Sequence, residues 1–170
     1  MGDREGRGGP TVQVLFVCTG NACRSPMAEG LLRHLARAAG LDGQIRAFSA
    51  GTDPALPAPT DEAILVCQEQ GIDISGHRPR PLTAAMVREA DLVLGMARHH
   101  VEAVERECGP RPGQVALLTR YGPPDLQGRS IRDPFYRPLE EYRRCFELIR
   151  VCVVNLLAEL RPRLEPGRPR

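Results

Sequence analysis

The chain has 170 residues, 42% of them hydrophobic, which is enough for one compact domain with a core and too little for two ordinary domains. The formal net charge is only +2, with basic residues scattered among acidic ones, so a nucleic-acid-binding surface is not expected. All 23 basic residues are arginine, which excludes a Schiff-base lysine and the lysine of a nucleotide-binding loop.

The two ends of the chain differ in composition from its middle. Residues 1–10 are polar and glycine-rich and are predicted to be a disordered tail, while residues 11–160 are predicted to form a single domain. The tail from 161 to 170 contains three prolines and is expected to fray. No run approaches the roughly 20 apolar residues that span a bilayer, so we expect a cytoplasmic protein with no membrane partner, working as a monomer.

The cysteines are predicted to be thiols and not disulfide staples. A chain of this size holds together without staples, and most of its six cysteines lie inside apolar runs. The four that we assign to this class are Cys67, Cys108, Cys145 and Cys152. The remaining two, Cys18 and Cys23, have no second ligand pair at zinc spacing, so neither a metal nor another cofactor is predicted.

Apolar runs and helical periodicities alternate along the chain. A β-branched run ending near Val17 has the composition of a strand that is covered on both faces. Predicted strands are 12–17, 45–50, 91–96 and 115–118, and predicted helices are 26–40, 60–71, a short one from 83, 97–108 and 139–160. This alternation is typical of an α/β fold with a four-stranded parallel sheet and helices on both faces, whose sites form at the carboxyl ends of the strands.

The first strand leads into a short loop with the features of an anion-binding site. The strand ends at Cys18, and Ser25 followed by Pro26 marks a helix start, so the loop between them faces a helix N-terminus. Backbone N–H groups and the helix dipole favour an anion there, and they also favour the thiolate form of Cys18. Arg24 supplies a planar fork for two phosphate oxygens. We call residues 18–25 the anion cradle.

Two further features bear on this loop. Asn21, beside Gly20, tolerates a left-handed backbone better than most residues, so a strained loop is expected there. Asp133 precedes a proline on the long loop after the fourth strand, which favours an extended backbone and places the carboxyl group within reach of the cradle. On its own pattern, Asp133 is also consistent with a loop-capping aspartate.

Three stretches together resemble the low-molecular-weight protein-tyrosine phosphatase family. They are 14–29 (VLFVCTGNACRSPMAE), 49–51 (SAG) and 133–136 (DPFY), and the resemblance extends over about residues 12–160. It implies a phosphatase I-like three-layer sandwich with strand order 2-1-3-4. It also implies a phosphatase that acts on phosphorylated proteins, with phosphate or another oxyanion in the active site.

The resemblance also implies roles for individual residues. Cys18 attacks phosphorus, Arg24 holds the equatorial oxygens, and Asp133 protonates the leaving group and later activates water. The residues implied to bind substrate or phosphate are Thr19, Gly20, Asn21, Ala22, Cys23, Arg24, Ser25, Phe135 and Tyr136. Those implied to support the loop through a hydrogen-bond network are Asn21, Ser25, Ser49 and His77.

Several residues keep more than one interpretation. Ser25 is consistent with a helix N-cap as well as with a partner of the cysteine. Cys23 is either a small apolar filler or, as the family implies, a cysteine that forms a protective disulfide with Cys18. His34, His99 and His100 have no motif context and are predicted to be surface residues.

The residue at position 22 bears on the choice between two protein substrates. Family members that hydrolyse phosphotyrosine usually carry a bulky aliphatic residue where this chain has Ala22, and a protein-arginine phosphatase branch carries threonine. Related thiol-dependent arsenate reductases need a further cysteine pair near the end of the third strand, where Leu94 to Arg98 offers none. A phosphate or redox sensor without turnover is the alternative outside the enzymes. The sequence favours a phosphotyrosine phosphatase.

Overall fold

A computed structural model describes residues 11–164, so the predicted tail at 1–10 and the last six residues lie outside the described residues. The strands are β1 Val12–Cys18, β2 Ile45–Gly51, β3 Leu92–Gly95 and β4 Val115–Leu117. The helices are α1 Arg24–Ala38, α2 Asp61–Gln68, α3 Ala84–Glu89, α4 Arg98–Cys108 and α5 Leu139–Leu164, with a 3-10 turn at Leu118–Tyr121. No helix within these bounds is long and apolar enough to cross a bilayer.

The four strands form one parallel sheet in the order β2-β1-β3-β4, as predicted. The first strand is therefore central, and Cys18 at its carboxyl end pairs with Gly51 at the end of β2. Crossover connections between parallel strands bring the loops that follow β1, β2 and β3 to the same edge of the sheet. This edge carries the anion cradle.

The side chains of β1 point alternately into two cores, which explains its continuous apolar sequence. Val14 and Phe16 pack into the larger core with α1, α2 and α5, whereas Leu15 and Val17 pack into the smaller core with α3 and α4. Cys18 belongs to the larger core and is 2% exposed. The predicted nucleophile is therefore packed among buried side chains on the side of the sheet that carries α1, α2 and α5.

The last helix extends beyond its predicted end. It continues to Leu164, so the expected fraying is wrong for residues 161–164, while residues 165–170 are not described. Leu160 and Leu164 are each 1% exposed, and this added turn of apolar contact stabilises the helix. Pro162 lacks only one backbone N–H near the helix end, which apolar burial offsets.

Candidate active site

The carbonyl groups of the anion cradle point away from its centre, because scaffold residues on its outer side donate to them. The bonds are Thr52 N–H to Cys18 O (3.0 Å), Asp53 N–H to Thr19 O (2.9 Å), Thr60 N–H to Ala22 O (3.0 Å) and His77 Nε2 to Asn21 O (3.1 Å). The donors come from the segment after β2, the start of α2 and the loop before α3.

The inward face of the cradle is consequently lined with N–H groups. In a trans peptide the N–H points opposite to the C=O, so an outward carbonyl sends the next residue's N–H inward. Within the described chain, no protein acceptor pairs with the N–H groups of residues 19–23. The N-terminus of α1 lies directly behind them and adds its dipole. Such a set of N–H groups without protein acceptors is suited to binding an anion through the backbone.

Two backbone positions make this loop shape possible. Asn21 has a φ of +52°, which confirms the predicted left-handed conformation. Gly51 lies so close to the cradle that a Cβ there would be 2.5 Å from the Thr19 carbonyl oxygen and 3.0 Å from the Asn21 nitrogen. The glycine of the SAG stretch is thus explained by the close approach of β2 to the loop.

The side chain of Asn21 sets the direction of a buried hydrogen-bond network. Its Oδ1 accepts from the backbone N–H of Arg80 and from Nε2 of His77, both at 3.1 Å. The amide nitrogen then donates to the hydroxyls of Ser25 at 2.8 Å and Ser49 at 2.9 Å. The structure therefore brings together the four residues that the resemblance named as loop supports.

The two serines accept from Asn21 and can each donate to a further acceptor. Ser25 Oγ already accepts from Asn21, so its own hydrogen is available to Cys18 Sγ, 2.9 Å away. In the same way, Ser49 donates to the buried carboxylate of Glu29. The sulfur of Cys18 is thus a hydrogen-bond acceptor, the role that a thiolate takes.

Ser25 is not the N-cap of α1. The helix begins at Arg24, Cys23 occupies the N-cap position, and no side chain caps the helix there. The N-cap interpretation is wrong because the Ser25 hydroxyl is already engaged with Asn21 and Cys18.

His77 contacts both oxygens of Asn21 and lies near Glu29. Burial lowers its pKa, and its bonds to the two Asn21 oxygens place the ring hydrogen on Nε2. Its Nδ1 lies 3.6 Å from a Glu29 carboxylate oxygen, and that carboxylate also contacts Arg33 at 2.8 Å. The shortest contacts of the Glu29 carboxylate are therefore those with Ser49 and Arg33.

Arg24 is a buried guanidinium with one nitrogen atom that has no hydrogen-bond partner among the described residues. Its Nη1 donates to the carbonyl of Ile131 at 2.8 Å, and its Nη2 lies 3.2 Å from Asp133 Oδ2. Its Nε is buried and has no partner among residues 11–164. An unpartnered buried donor is costly unless a ligand satisfies it, so this edge of the fork is available to an oxyanion.

The cradle opens into a cavity of about 220 Å³. Asp133, Phe135 and Tyr136 line one wall, and Ala55 and Leu56 line another. Asp133 Oδ1 accepts the N–H of Phe135 at 3.1 Å, while Tyr136 has a φ of +62° and is 90% exposed at the mouth. The predicted acid and aromatic pair thus share the cavity of Cys18 and Arg24.

Cys23 belongs to the cradle, but its sulfur contacts hydroxyl groups of residues outside the cradle. Its Sγ is 3.5 Å from the Tyr142 hydroxyl and 3.6 Å from the Thr60 hydroxyl, and burial raises its pKa to about 11. All six cysteines are free in the structure, including Cys18. Cys23 is therefore a protonated thiol at neutral pH while it remains reduced.

Sequence reasoning missed three residues at this site. His100, predicted to be on the surface, is fully buried and contacts Thr19, although His34 and His99 are exposed as predicted. Its place four residues before Val104, on the apolar face of α4, is the signal that indicates burial. No role was predicted for Glu29 or Arg80, because their partners in the network are distant in the sequence and such contacts leave no local pattern.

The site combines a cysteine whose sulfur accepts a hydrogen bond, a loop suited to an oxyanion, and a carboxyl group across the cavity. This combination is typical of enzymes that attack phosphorus with a thiolate. Residues 13–165 match the family model for low molecular weight phosphotyrosine protein phosphatase. The chain therefore belongs to the low-molecular-weight protein-tyrosine phosphatase family, which confirms the resemblance.

Individual relatives agree with this assignment. A low molecular weight protein-tyrosine-phosphatase from Streptomyces coelicolor is 33% identical over 91% of this chain and 97% of its own length. A protein-arginine-phosphatase from Bacillus subtilis is 30% identical, covering 88% and 97%. The crystal structure of a low molecular weight protein tyrosine phosphatase from T. tengcongensis superposes with a TM-score of 0.80 at 34% identity, covering 88% of this chain and all of the other.

Proposed function

We propose that this protein hydrolyses protein phosphotyrosine through a cysteinyl-phosphate intermediate. The observation that carries the proposal is the position of Cys18 Sγ, which accepts from Ser25 at the base of a loop whose N–H donors have no protein partner. The family model is that of phosphotyrosine protein phosphatases, and the relative from Streptomyces coelicolor is named a protein-tyrosine-phosphatase. The aromatic pair Phe135 and Tyr136 supports an aryl phosphate as the group that enters the cavity.

In the first step, the Cys18 thiolate attacks phosphorus and the bond from phosphorus to the tyrosyl oxygen breaks. Asp133 gives its proton to the departing oxygen, so tyrosine leaves as a neutral phenol. The negative charge that spreads over the equatorial oxygens is held by the cradle N–H groups and by the Nε and Nη2 of Arg24. The Ser25 hydroxyl keeps the sulfur aligned for attack.

In the second step, a water molecule attacks the cysteinyl phosphate. Asp133, now a carboxylate, takes the proton from this water, the sulfur–phosphorus bond breaks, and Cys18 returns as a thiolate. Inorganic phosphate then leaves the cradle. The buried network through Asn21 and Ser25 keeps the same geometry in both steps, since all of its members are tied to the scaffold.

The proposal is tested with p-nitrophenyl phosphate and purified, reduced protein in the presence of a chelator. We expect turnover between about pH 5 and pH 7, and abolition of turnover in Cys18→Ser while inorganic phosphate still binds. Cys108→Ser, which changes a cysteine at the far end of α4, is the matched control and should keep wild-type rates. A wild-type protein that binds phosphate without turnover would instead support the sensor alternative.

A second candidate substrate is protein phosphoarginine. Ala22 lines the cavity with only a methyl group, so it neither fills the space as a bulky aliphatic side chain does nor offers a hydroxyl. The relative from Bacillus subtilis is a protein-arginine-phosphatase. Initial rates on phosphotyrosine and phosphoarginine peptides of the same sequence distinguish the two, and a strong preference for phosphoarginine would reverse our choice.

We further propose that the protein works as a monomer in the cytoplasm. Its six free cysteines are consistent with a reducing compartment. Of the four large apolar side chains exposed among the described residues, Leu56 and Tyr136 line the active-site cavity and Leu65 and Val154 lie on α2 and α5, so none of them requires a partner chain to cover it, which supports a monomer. Gel filtration with light scattering tests this state.

A further inference from the structure

His100 is a buried histidine that the proposed chemistry does not use. It is the third residue of α4 and is 0% exposed. Its Nδ1 accepts the backbone N–H of Ala97 at 3.0 Å, and its Nε2 lies 2.8 Å from the Thr19 hydroxyl. One side of the ring thus caps a helix while the other touches the residue directly after the nucleophile.

The tautomer of His100 follows from these two bonds. Because Nδ1 accepts from Ala97, the single ring hydrogen of the neutral form is on Nε2 and is donated to Thr19 Oγ1. Burial and the nearby charge of Arg24 lower the pKa of His100 to about 3, which is consistent with a neutral ring at working pH. The direction of the bond is therefore fixed.

Thr19 is consequently held through both its backbone and its side chain. Its carbonyl accepts from Asp53 N–H on the β2 side, and its hydroxyl accepts from His100 on the β3 side. Within residues 11–164, His100 and a 3.5 Å contact from the exposed His99 are the only side-chain hydrogen bonds that reach the cradle from the β3–α4 junction. A Cβ added at Gly95 would lie 3.2 Å from His100 Cβ, so α4 packs closely against the end of β3 at this position.

We propose that His100 is a positioning residue that holds Thr19, and through it the Cys18 sulfur and the first cradle N–H groups, in the geometry for attack at phosphorus. The proposal deepens the proposed function and rests on it for its effect on turnover. Its effect on phosphate binding and on the reactivity of Cys18 does not depend on turnover, so the two are tested separately.

Two substitutions separate the contacts of His100. In His100→Asn the amide oxygen replaces Nδ1 and keeps the cap on Ala97, but the side chain is too short for Thr19. In His100→Gln the amide nitrogen reaches the position of Nε2 and keeps the bond to Thr19, but the cap is lost. His100→Asn therefore keeps the stabilising cap and loses the bond that positions Thr19, whereas His100→Gln loses the cap and keeps that bond.

The expected results differ accordingly. For His100→Asn we expect kcat/KM on p-nitrophenyl phosphate to fall by about 10- to 100-fold, since small displacements of reacting groups are that costly. His100→Gln should restore most of the loss despite a lower melting temperature. Activity that follows melting temperature in both variants would show a merely structural histidine and overturn the proposal.

Alkylation of Cys18 by iodoacetate, located by peptide mass spectrometry, is the readout that does not require turnover. Inorganic phosphate should protect Cys18 in wild type and His100→Gln at similar concentrations, and about tenfold more should be needed in His100→Asn, by the same displacement argument. If the wild type shows no turnover but these differences persist, the proposed function fails and the positioning role stands. Equal protection in all three proteins would overturn the positioning role.

Thr19→Val keeps the proposal testable if His100→Asn fails to fold, because it leaves the histidine and the cap in place. It should reproduce the loss of kcat/KM, and Thr19→Ser, which keeps the hydroxyl, should lose less than Thr19→Val. In the double variant Thr19→Val with His100→Asn, the second change should cost nothing further, since both remove the same bond. Independent, additive losses would contradict a shared role.

Discussion

The guanidinium Nη2 of Arg24 lies 3.2 Å from Oδ2 of Asp133, so the proposed phosphate ligand and the proposed proton donor form an ion pair at the mouth of the cradle. Arg24 is buried, whereas the side chain of Asp133 is 48% exposed. A phosphate dianion that takes the free edge of Arg24 therefore competes with the Asp133 carboxylate for the same guanidinium.

Substitution of this acid should affect rate and phosphate affinity in opposite directions. For Asp133→Asn we expect kcat on p-nitrophenyl phosphate to fall by about 10²- to 10⁴-fold, as for loss of a general acid. Inorganic phosphate should inhibit at a lower concentration, because it no longer competes with a carboxylate for Arg24. Asp125→Asn, an exposed loop aspartate, is the control. The loss should be smaller for good leaving groups than for poor ones, and an equal loss for both would remove Asp133 as the acid.

Ala22→Thr should change substrate choice more than total activity. The added hydroxyl offers a partner to the guanidino nitrogen of phosphoarginine, and its bulk narrows the wall against an aryl ring. We expect the ratio of kcat/KM for phosphoarginine over phosphotyrosine peptides to rise by about tenfold, the scale of one pocket contact. An unchanged ratio would show that Ala22 does not select the substrate.

Gly51→Ala should disrupt the cradle. The new Cβ would meet the Thr19 carbonyl at 2.5 Å, and that backbone atom cannot move without breaking its bond to Asp53. We expect a loss of about 1–3 kcal/mol in unfolding free energy, as for overpacked sites, and a large loss of kcat/KM. Gly43→Ala, with nothing within 4 Å of the added Cβ, should leave both unchanged. Chemical denaturation and initial rates measure the two effects.

Asn21 combines a left-handed backbone with the amide that directs the network, and two substitutions separate these contributions. Asn21→Gly keeps the backbone conformation and removes the amide, whereas Asn21→Ala removes the amide and adds steric strain. The alanine variant should be less stable than the glycine variant by about 1–2 kcal/mol. Both should lose activity to a similar extent, and full activity in the glycine variant would show that the network is not needed.

Acidification should destabilise the protein partly through His100. Its folded-state pKa is about 3 and its ordinary value is 6.5, so below about pH 6.5 the unfolded chain binds a proton that the folded chain does not. Its stabilising contribution is complete above pH 6.5 and falls by roughly 1.4 kcal/mol per pH unit toward pH 3. The difference in unfolding free energy between wild type and His100→Asn should shrink from pH 7 to pH 5. A constant difference would contradict a neutral buried ring.

The strands, the helices and the left-handed Asn21 were accessible to sequence reasoning, because apolar periodicity and short-range backbone preferences leave local patterns. The strand order followed from the family resemblance and not from these patterns. The direction of the Asn21 network was not, since it depends on Arg80 and Glu29, which arrive from different elements. The end of α5 was misplaced because Pro162 signals a helix stop, while the burial of Leu164 depends on tertiary packing.

The outward carbonyls of the cradle have a consequence for the kinetics of binding. Their partners, Thr52, Asp53, Thr60 and His77, all lie outside the loop, so the donors for an oxyanion are oriented when the chain folds and not when the ligand arrives. Little ordering entropy then remains to be lost on association. The first encounter with phosphate should therefore proceed in a single phase that is linear in ligand concentration, without a slow isomerisation, and its rate should fall with added salt.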